Sequence, residues 1–155
     1  MTVMLRLEWM VSHMQYKLTI PGRLEGLNEY IAANRTNPYK GGKVKKDCEH
    51  TIMWCIRQQL NGLHIQEPVL IYYCFYEKDR RRDGDNILSC AAKFVQDSLV
   101  KTKVLREDNQ KCIPHFYHDI FVDNREPRIE ITITELSTEQ AKMPLAELLR
   151  DLEMG

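Results

Sequence analysis

The chain has no long apolar run, no paired cysteine motif and no excess of charge of either sign. Its 155 residues include five cysteines, an odd set without a C-x-x-C pair, which indicates reduced thiols rather than a disulfide framework. No apolar stretch approaches the roughly 18–20 residues that a membrane span needs. Arg6 and Glu8 interrupt the apolar N-terminus, unlike a signal peptide. We therefore expect a cytoplasmic protein that makes no contact with a membrane.

Further absences narrow the classes of function. The chain has no glycine-rich phosphate loop of the Walker type, no internal repeat and no low-complexity linker. Cys112, His115 and His118 lack a second cysteine pair that would complete a zinc tetrahedron. The formal net charge is zero, so no overall basicity indicates a nucleic-acid partner.

The apolar pattern predicts one compact α/β domain of the α+β kind, with a mixed sheet flanked by helices. Residues 14–155 form this domain, and residues 1–13 are an extension that is either native or left from cloning. Period-two patterns predict strands at 16–20 and 128–136, and an almost unbroken apolar and aromatic run predicts another at 69–76. Residues 113–122 are predicted to be a strand that forms a hairpin with the last one. The apolar strand 69–76 is predicted to be central and covered on both faces. Helices are predicted within 24–33, 44–60, 87–101 and 138–152, with a loop at 34–46.

The charged stretch at 78–86 contains two aspartates on either side of a glycine. Gly84 permits a sharp turn, and in an extended segment Asp83 and Asp85 point the same way. Two carboxylates on one side suit a hard cation such as Mg²⁺, with Mn²⁺ as a substitute. Asp85 or Asn86 also suits the N-cap of the following helix. A solvated charged turn with an aspartate cap is the alternative interpretation.

Polar residues farther along the chain extend this candidate site. Asp108 lies on a turn that we expect to fold back beside the start of the helix, with Glu107 as the competing third ligand. Three convergent carboxylates would form a metal site of the kind that hydrolyses phosphodiesters. Lys93 follows Asp85 at two steps of four residues, and helical side chains lean toward the N-terminus. The alternative for Lys93 is a surface lysine paired with Asp97.

Positive charge gathers in two segments although the total cancels. One is the run Arg80, Arg81 and Arg82. The other is 35–46, which has no acidic residue and five basic ones: Arg35, Lys40, Lys43, Lys45 and Lys46. We expect both segments to contact DNA backbone phosphates. A flexible surface loop is the alternative for the second.

The order of these motifs resembles the RusA family of Holliday-junction resolvases, which are crossover junction endodeoxyribonucleases. The resemblance runs over about residues 15–136 and is carried by Arg-Arg-Asp-Gly-Asp-Asn at 81–86, Lys93, Asp97-Ser-Leu, Val104-Leu105 and Glu107-Asp108. Ile-Pro-Gly at 20–22, Leu-Asn-Glu-Tyr at 27–30 and Pro-Arg-Ile-Glu-Ile-Thr-Ile at 127–133 also fit.

The resemblance implies a bacterial or phage-encoded, Mg²⁺-dependent homodimer. Such enzymes cut four-way DNA junctions by paired symmetric nicks in recombination and repair. It assigns metal binding and catalysis to Asp83, Asp85 and Asp108, and a catalytic role to Lys93, which stands one turn farther from the aspartates than the family's lysine.

Two alternatives stay open. The first is another structure-selective nuclease on the same fold, acting on flaps or nicks. The second is a non-catalytic DNA-binding or assembly protein that kept the fold, although binding alone does not need carboxylates facing phosphate.

Overall fold

The computed structural model describes residues 14–154, apart from the side chain of Leu27. The predicted extension at residues 1–13 lies outside the described residues. In chain order the elements are β1 (Gln15–Pro21), α1 (Leu27–Thr36), α2 (Pro38–Gln59), β2 (Val69–Glu77), α3 (Gly84–Lys101), β3 (His115–Val122), β4 (Arg128–Glu135), a 3₁₀ turn (Gln140–Lys142) and α4 (Leu145–Met154). They form a single α+β domain, and no helix within the described range is both long and apolar enough to cross a bilayer.

The four strands form one mixed sheet in the order β1-β4-β2-β3. β4 is antiparallel to both β1 and β2, whereas β3 is parallel to β2. In β4, Ile129, Ile131 and Ile133 are buried, as the alternation predicts. Pro114 precedes β3, and β3 is an edge strand, as the proline predicts.

The predicted hairpin of the last two strands is wrong, because β2 lies between β3 and β4. β2 is buried along most of its length, with only Tyr72 and Tyr76 half-buried, and Ile71, Tyr73 and Phe75 are almost completely buried. The observed order gives this apolar strand a hydrogen-bonded neighbour on each side.

The main core lies between the sheet and helices α1–α3, and α4 covers only part of the opposite face. There Leu70, Leu136 and Leu148 form a separate small cluster. Tyr72 and Tyr76 of β2 are half-buried on this face. The prediction that β2 is covered on both faces is therefore correct at its start and wrong toward its end. The last helix also begins later than predicted, after Pro144 rather than at residue 138.

The predicted loop at 34–46 is wrong, because most of it is helical. α2 begins at Pro38, a position where proline loses no helical hydrogen bond and has a suitable φ. The Asn37 side chain caps the helix by accepting a 2.9 Å hydrogen bond from the Tyr39 backbone N–H. Gly41 is buried, and a Cβ there would collide with the side chain of Asn34. The glycine that looked like a helix breaker thus lets α1 and α2 pack closely.

Candidate metal and nucleic-acid site

The paired aspartates lie where α3 begins. Asp83, with φ −72° and ψ 148°, is the N-cap residue, and its carbonyl accepts the Ile87 N–H at 3.0 Å. Asp85 already belongs to the first helical turn, so the prediction that Asp85 or Asn86 is the N-cap is wrong. Both aspartates are exposed, and the Asp83 side chain makes no capping hydrogen bond. Their carboxylates therefore remain free to meet a ligand at the positive end of a helix.

The next residue, Asn86, ties this helix start to α1. Its Oδ1 accepts a 2.6 Å hydrogen bond from the Asn28 backbone N–H. A Cβ on Gly26 would lie 2.6 Å from Asn86 Nδ2, so only glycine allows this approach. In the sequence Asn86 is only a candidate for the cap. In the structure its hydrogen bond to α1 orients the turn that carries the aspartates.

The arginine run divides into exposed and buried members. Arg80 is exposed, and the Arg81 side chain is 88% exposed, with its guanidinium 3.7 Å from Asp79. The Arg82 side chain is only 9% exposed. Its guanidinium donates to Glu77 Oε1 and to the Leu24 carbonyl, each at 2.7 Å. Arg80 and Arg81 are therefore available to a phosphate in this structure, while the Arg82 guanidinium is engaged inside the protein.

Acidic neighbours of Arg82 form a second layer around it. Glu29 lies 3.7 Å from the Arg82 guanidinium and accepts the Gly26 N–H at 2.8 Å. A hydrogen bond between the two side chains lowers the pKa of Glu29 and raises the pKa of Glu25. Of the two carboxyl groups Glu29 therefore loses its proton first, which places the more acidic group of the pair beside the Arg82 guanidinium.

A cleft beside α3 brings together Lys93 and Asp108. Its volume is about 370 Å³, and its lining is Leu88, Ser89, Ala92, Lys93, Gln96, Asp108 and Phe116. Asp108 is exposed, and so is the Lys93 side chain, at 65%. The turn that carries Asp108 therefore folds back against α3, but it lies against residues 88–96 rather than beside the start of the helix, where the sequence predicts it. Asp85, Ser89 and Lys93 share one stripe of the helix, so the aspartate pair stands roughly 12 Å along the axis from Lys93.

Lys93 also makes the contact that its alternative interpretation predicts. Its Nζ lies 3.9 Å from Asp97 Oδ2, and Lys45 Nζ lies 3.7 Å from the same oxygen. Lys45 lies a further 3.8 Å from Glu49, a buried residue that also pairs with Lys101. Lys45 is thus committed to a charged network between α2 and α3.

The remaining basic residues of 35–46 are solvent-facing. Arg35 lies in the last turn of α1, and Lys40, Lys43 and Lys46 are exposed on the first half of α2. Tyr39 is 87% exposed among them. The basic segment is therefore a helical surface of fixed shape rather than a loose arm.

The three predicted carboxylates do not form one cluster. Within residues 14–154, no three side chains of the Asp, Glu, His or Cys type gather closely enough to hold a metal ion. The donor chemistry nevertheless fits Mg²⁺, which binds through one or two carboxylates and completes its shell with water and substrate phosphate. Asp83 and Asp85 supply two exposed oxygen ligands, and Asp108 lies at the neighbouring cleft.

No protein-family model matches this chain, and a comparison with curated protein sequences also finds no match.

Sequence reasoning missed two residues of this region. Phe116 lines the cleft while 43% exposed. Glu77 is buried opposite Arg82. A signal existed for Glu77, because it continues the odd-numbered, inward-facing series of β2.

Proposed function

We propose that this protein is a Mg²⁺-dependent, structure-selective endodeoxyribonuclease that resolves four-way DNA junctions by paired symmetric nicks. The observation that carries the proposal is one flank of α3, where an exposed aspartate pair is followed along the helix by a cleft holding Lys93 and Asp108. Negative ligands beside an exposed ammonium are what phosphodiester hydrolysis requires. The resemblance to RusA resolvases supplies the substrate class, with DNA recombination and repair as the setting.

Each residue has a separate task in this proposal. Asp83 and Asp85 bind the cation, which when bound supplies Lewis-acid activation of water and offsets phosphate charge. Lys93 extends its ammonium over the cleft, where it stabilises negative charge that develops on the scissile phosphate. Asp108 is the third carboxylate, held on the facing turn, and orients water at the edge of the site by accepting its hydrogen bonds.

DNA is held by the exposed basic residues. Arg80 and Arg81 lie three and two residues before Asp83, and the surface of α1 and α2 presents Arg35, Lys40, Lys43 and Lys46. Such contacts go to backbone phosphates and select shape rather than sequence. A homodimer suits the near-symmetry of a four-way junction, because each subunit then meets an equivalent strand.

A cleavage panel tests the choice of substrate. Purified protein is incubated in Mg²⁺ with labelled four-way junctions, flaps, nicked duplex and linear duplex of matched sequence. The proposal expects paired nicks at symmetric positions in junctions and little product from linear duplex. Preferential cutting of flaps or nicked duplex would make the protein a different structure-selective nuclease. Binding to junctions without any product would identify a DNA-binding or assembly protein.

Lys93→Ala is expected to slow cleavage by roughly two to three decades, as loss of one transition-state charge contact does. Junction affinity should stay nearly constant, and the lost Asp97 pair is worth only a few tenths of a kcal/mol. Lys93→Arg should restore little activity, because a planar fork does not replace a point charge. The measurement is single-turnover cleavage at saturating enzyme. Asp97→Asn is the control, and an equal loss in that variant would mean that the ion pair, rather than the ammonium, matters.

Replacing Lys40, Lys43 and Lys46 together by glutamine is expected to weaken junction binding and its dependence on salt. The slope of log affinity against log salt should fall by roughly one for each lysine removed. Lys45 is left intact because it belongs to the Glu49–Asp97 network. The matched control replaces the exposed residues Arg57, Lys103 and Lys142 by glutamine, and should leave the slope of log affinity against log salt unchanged. Equal slopes for all three proteins would remove this surface from the DNA interface.

A further inference from the structure

We infer that the outer edge of β3 is the surface through which two copies of this chain associate, as an antiparallel β3–β3 pair centred on His118. The inference gives the proposed homodimer its interface but does not depend on the proposed chemistry. It rests on three features of the sheet: an open edge, a closed opposite edge, and a strand that is complementary to itself.

The first feature is the open edge. β3 has eight residues, His-Phe-Tyr-His-Asp-Ile-Phe-Val, and pairs with β2 on one side. No other described group hydrogen-bonds to the backbone of residues 115–122. Phe116, Ile120, Phe121 and Val122 are exposed large apolar residues of this strand. The strand contains no lysine, arginine or proline, and its register with β2 runs without a bulge. Apart from the exposed carboxylate of Asp119, it therefore lacks the devices that keep an edge strand from pairing with another chain.

The second feature is the contrast with β1 at the other edge of the sheet. β1 carries Lys17, which is exposed, and ends at Pro21. The Gln59 side chain occupies its outward backbone groups at Thr19, accepting from the N–H and donating to the carbonyl at 2.7 Å each. One edge is thus closed by charge, proline and a side-chain amide, whereas the other is left open and apolar.

The third feature is self-complementarity, which also fixes the register. The two-fold axis of such a pair is perpendicular to the sheet, and residues directly opposite each other must face the same side of the sheet. The axis therefore passes midway between one residue and the same residue of the partner subunit. Two positions of the axis pair the most residues of β3. An axis at His118 pairs residues 115–121 of the two copies, and an axis at Asp119 pairs residues 116–122. An axis at Asp119 sets two like charges directly opposite, which is destabilising. An axis at His118 sets Phe116 opposite Ile120 of the partner subunit and Tyr117 opposite Asp119 of the partner subunit.

This pairing has a consequence for the candidate site. A Cβ on Gly84 would lie 3.4 Å from Ile120 Cδ1 and 3.6 Å from His118 Nε2, so the aspartate turn rests on the centre of β3. The two aspartate turns therefore flank the axis on the same face of a continuous eight-stranded sheet, since each copy contributes a four-stranded sheet. Two nicks made by one dimer would fall on symmetry-related strands.

Solution mass, measured by sedimentation equilibrium on the full chain, tests the surface. The unchanged protein is expected to have twice the chain's mass, and Ile120→Lys to have the mass of one chain, because a charge at the centre of the pair opposes association. Trp54→Lys is the matched control, since Trp54 is 62% exposed on α2 and should not alter the mass. Circular dichroism checks that Ile120→Lys remains folded. A monomeric unchanged protein would overturn the inference whatever its nuclease activity.

Cross-linking tests the register without a disruptive substitution. Directly opposite residues stand ~4.5–5.5 Å apart between Cα atoms, which a disulfide can span, whereas diagonal neighbours at ~7–8 Å are too distant. In a Cys112→Ser background, which leaves only buried cysteines, His118→Cys should therefore form a disulfide-linked dimer on oxidation. Tyr117→Cys and Asp119→Cys should not. A dimer that survives Ile120→Lys, or that cross-links best at 117 or 119, contradicts the proposed pairing.

Discussion

Asp83→Asn and Asp85→Asn are each expected to reduce junction cleavage by more than about three decades, close to background. Both side chains are exposed at the start of α3, where the proposal places the cation. An asparagine keeps the shape of the side chain but removes the negative charge that holds a hard metal. Junction binding should persist or tighten, because a carboxylate that repels phosphate has been removed. The measurement is single-turnover cleavage in Mg²⁺ with parallel binding assays.

The structure supplies a matched control for this loss. Glu147 lies in the first turn of α4 and is exposed, as Asp85 is in α3. Glu147→Gln therefore removes one negative charge from a helix N-terminus, as Asp85→Asn does, but lies outside the site. The Glu147→Gln protein should cleave at the rate of the unchanged protein. Asparagine is as good an N-cap as aspartate, so Asp83→Asn should keep its fold. Cleavage by either aspartate variant near the unsubstituted rate would refute the metal assignment.

Arg82→Ala is expected to lower the free energy of unfolding by about 3–5 kcal/mol, since it leaves a buried carboxylate without its partner. Glu77 is 3% exposed and its Oε1 lies 2.7 Å from the Arg82 guanidinium. The Leu24 carbonyl also loses its donor. For a chain of this length the melting temperature should fall by roughly 6–20 °C. Chemical denaturation followed by circular dichroism measures both quantities.

Arg81→Ala is the neighbouring control. The Arg81 side chain is 88% exposed, so its loss should change stability by less than about 0.5 kcal/mol. A double variant, Arg82→Met with Glu77→Leu, should recover much of the lost stability, because an apolar pair needs no charge compensation. If Arg82→Ala and Arg81→Ala were equally stable, the buried ion pair would have no energetic role.

The elements that the sequence predicts well are those with a strict local period. The alternation of Ile129, Ile131 and Ile133 predicts which face of β4 is buried, and the apolar run at 69–76 predicts a central strand. In β4 the burial of alternate residues follows from strand geometry, and in β2 the continuous apolar run corresponds to burial of most of its residues. Strand order does not, because the pairing of β4 with β1 and β2 depends on which neighbours bury the most apolar surface.

The failures have a common physical origin in tertiary contacts. Pro38 and Gly41 break helices in isolation, but here one begins α2 and the other permits contact with Asn34. Arg81 and Arg82 are adjacent and chemically identical, yet only Arg82 meets the inward-facing Glu77. The charge run alone therefore does not show which arginine is buried and which is exposed. Asp108 was expected to converge with Asp83 and Asp85, but it lines a cleft with Lys93, and the three aspartates do not gather into a single cluster in this structure.

The central claim is metal-dependent cleavage of branched DNA by the α3 site. The most direct measurement is the product pattern of a four-way junction labelled on each strand in turn, with Mg²⁺ and with EDTA. In Mg²⁺ we expect the unchanged protein to nick two opposite strands at equivalent positions. We expect no nicks in EDTA, and none in Mg²⁺ with the combined Asp83→Asn and Asp85→Asn variant. An intact junction in Mg²⁺, or equal cleavage by the unchanged protein and the combined variant, would contradict it.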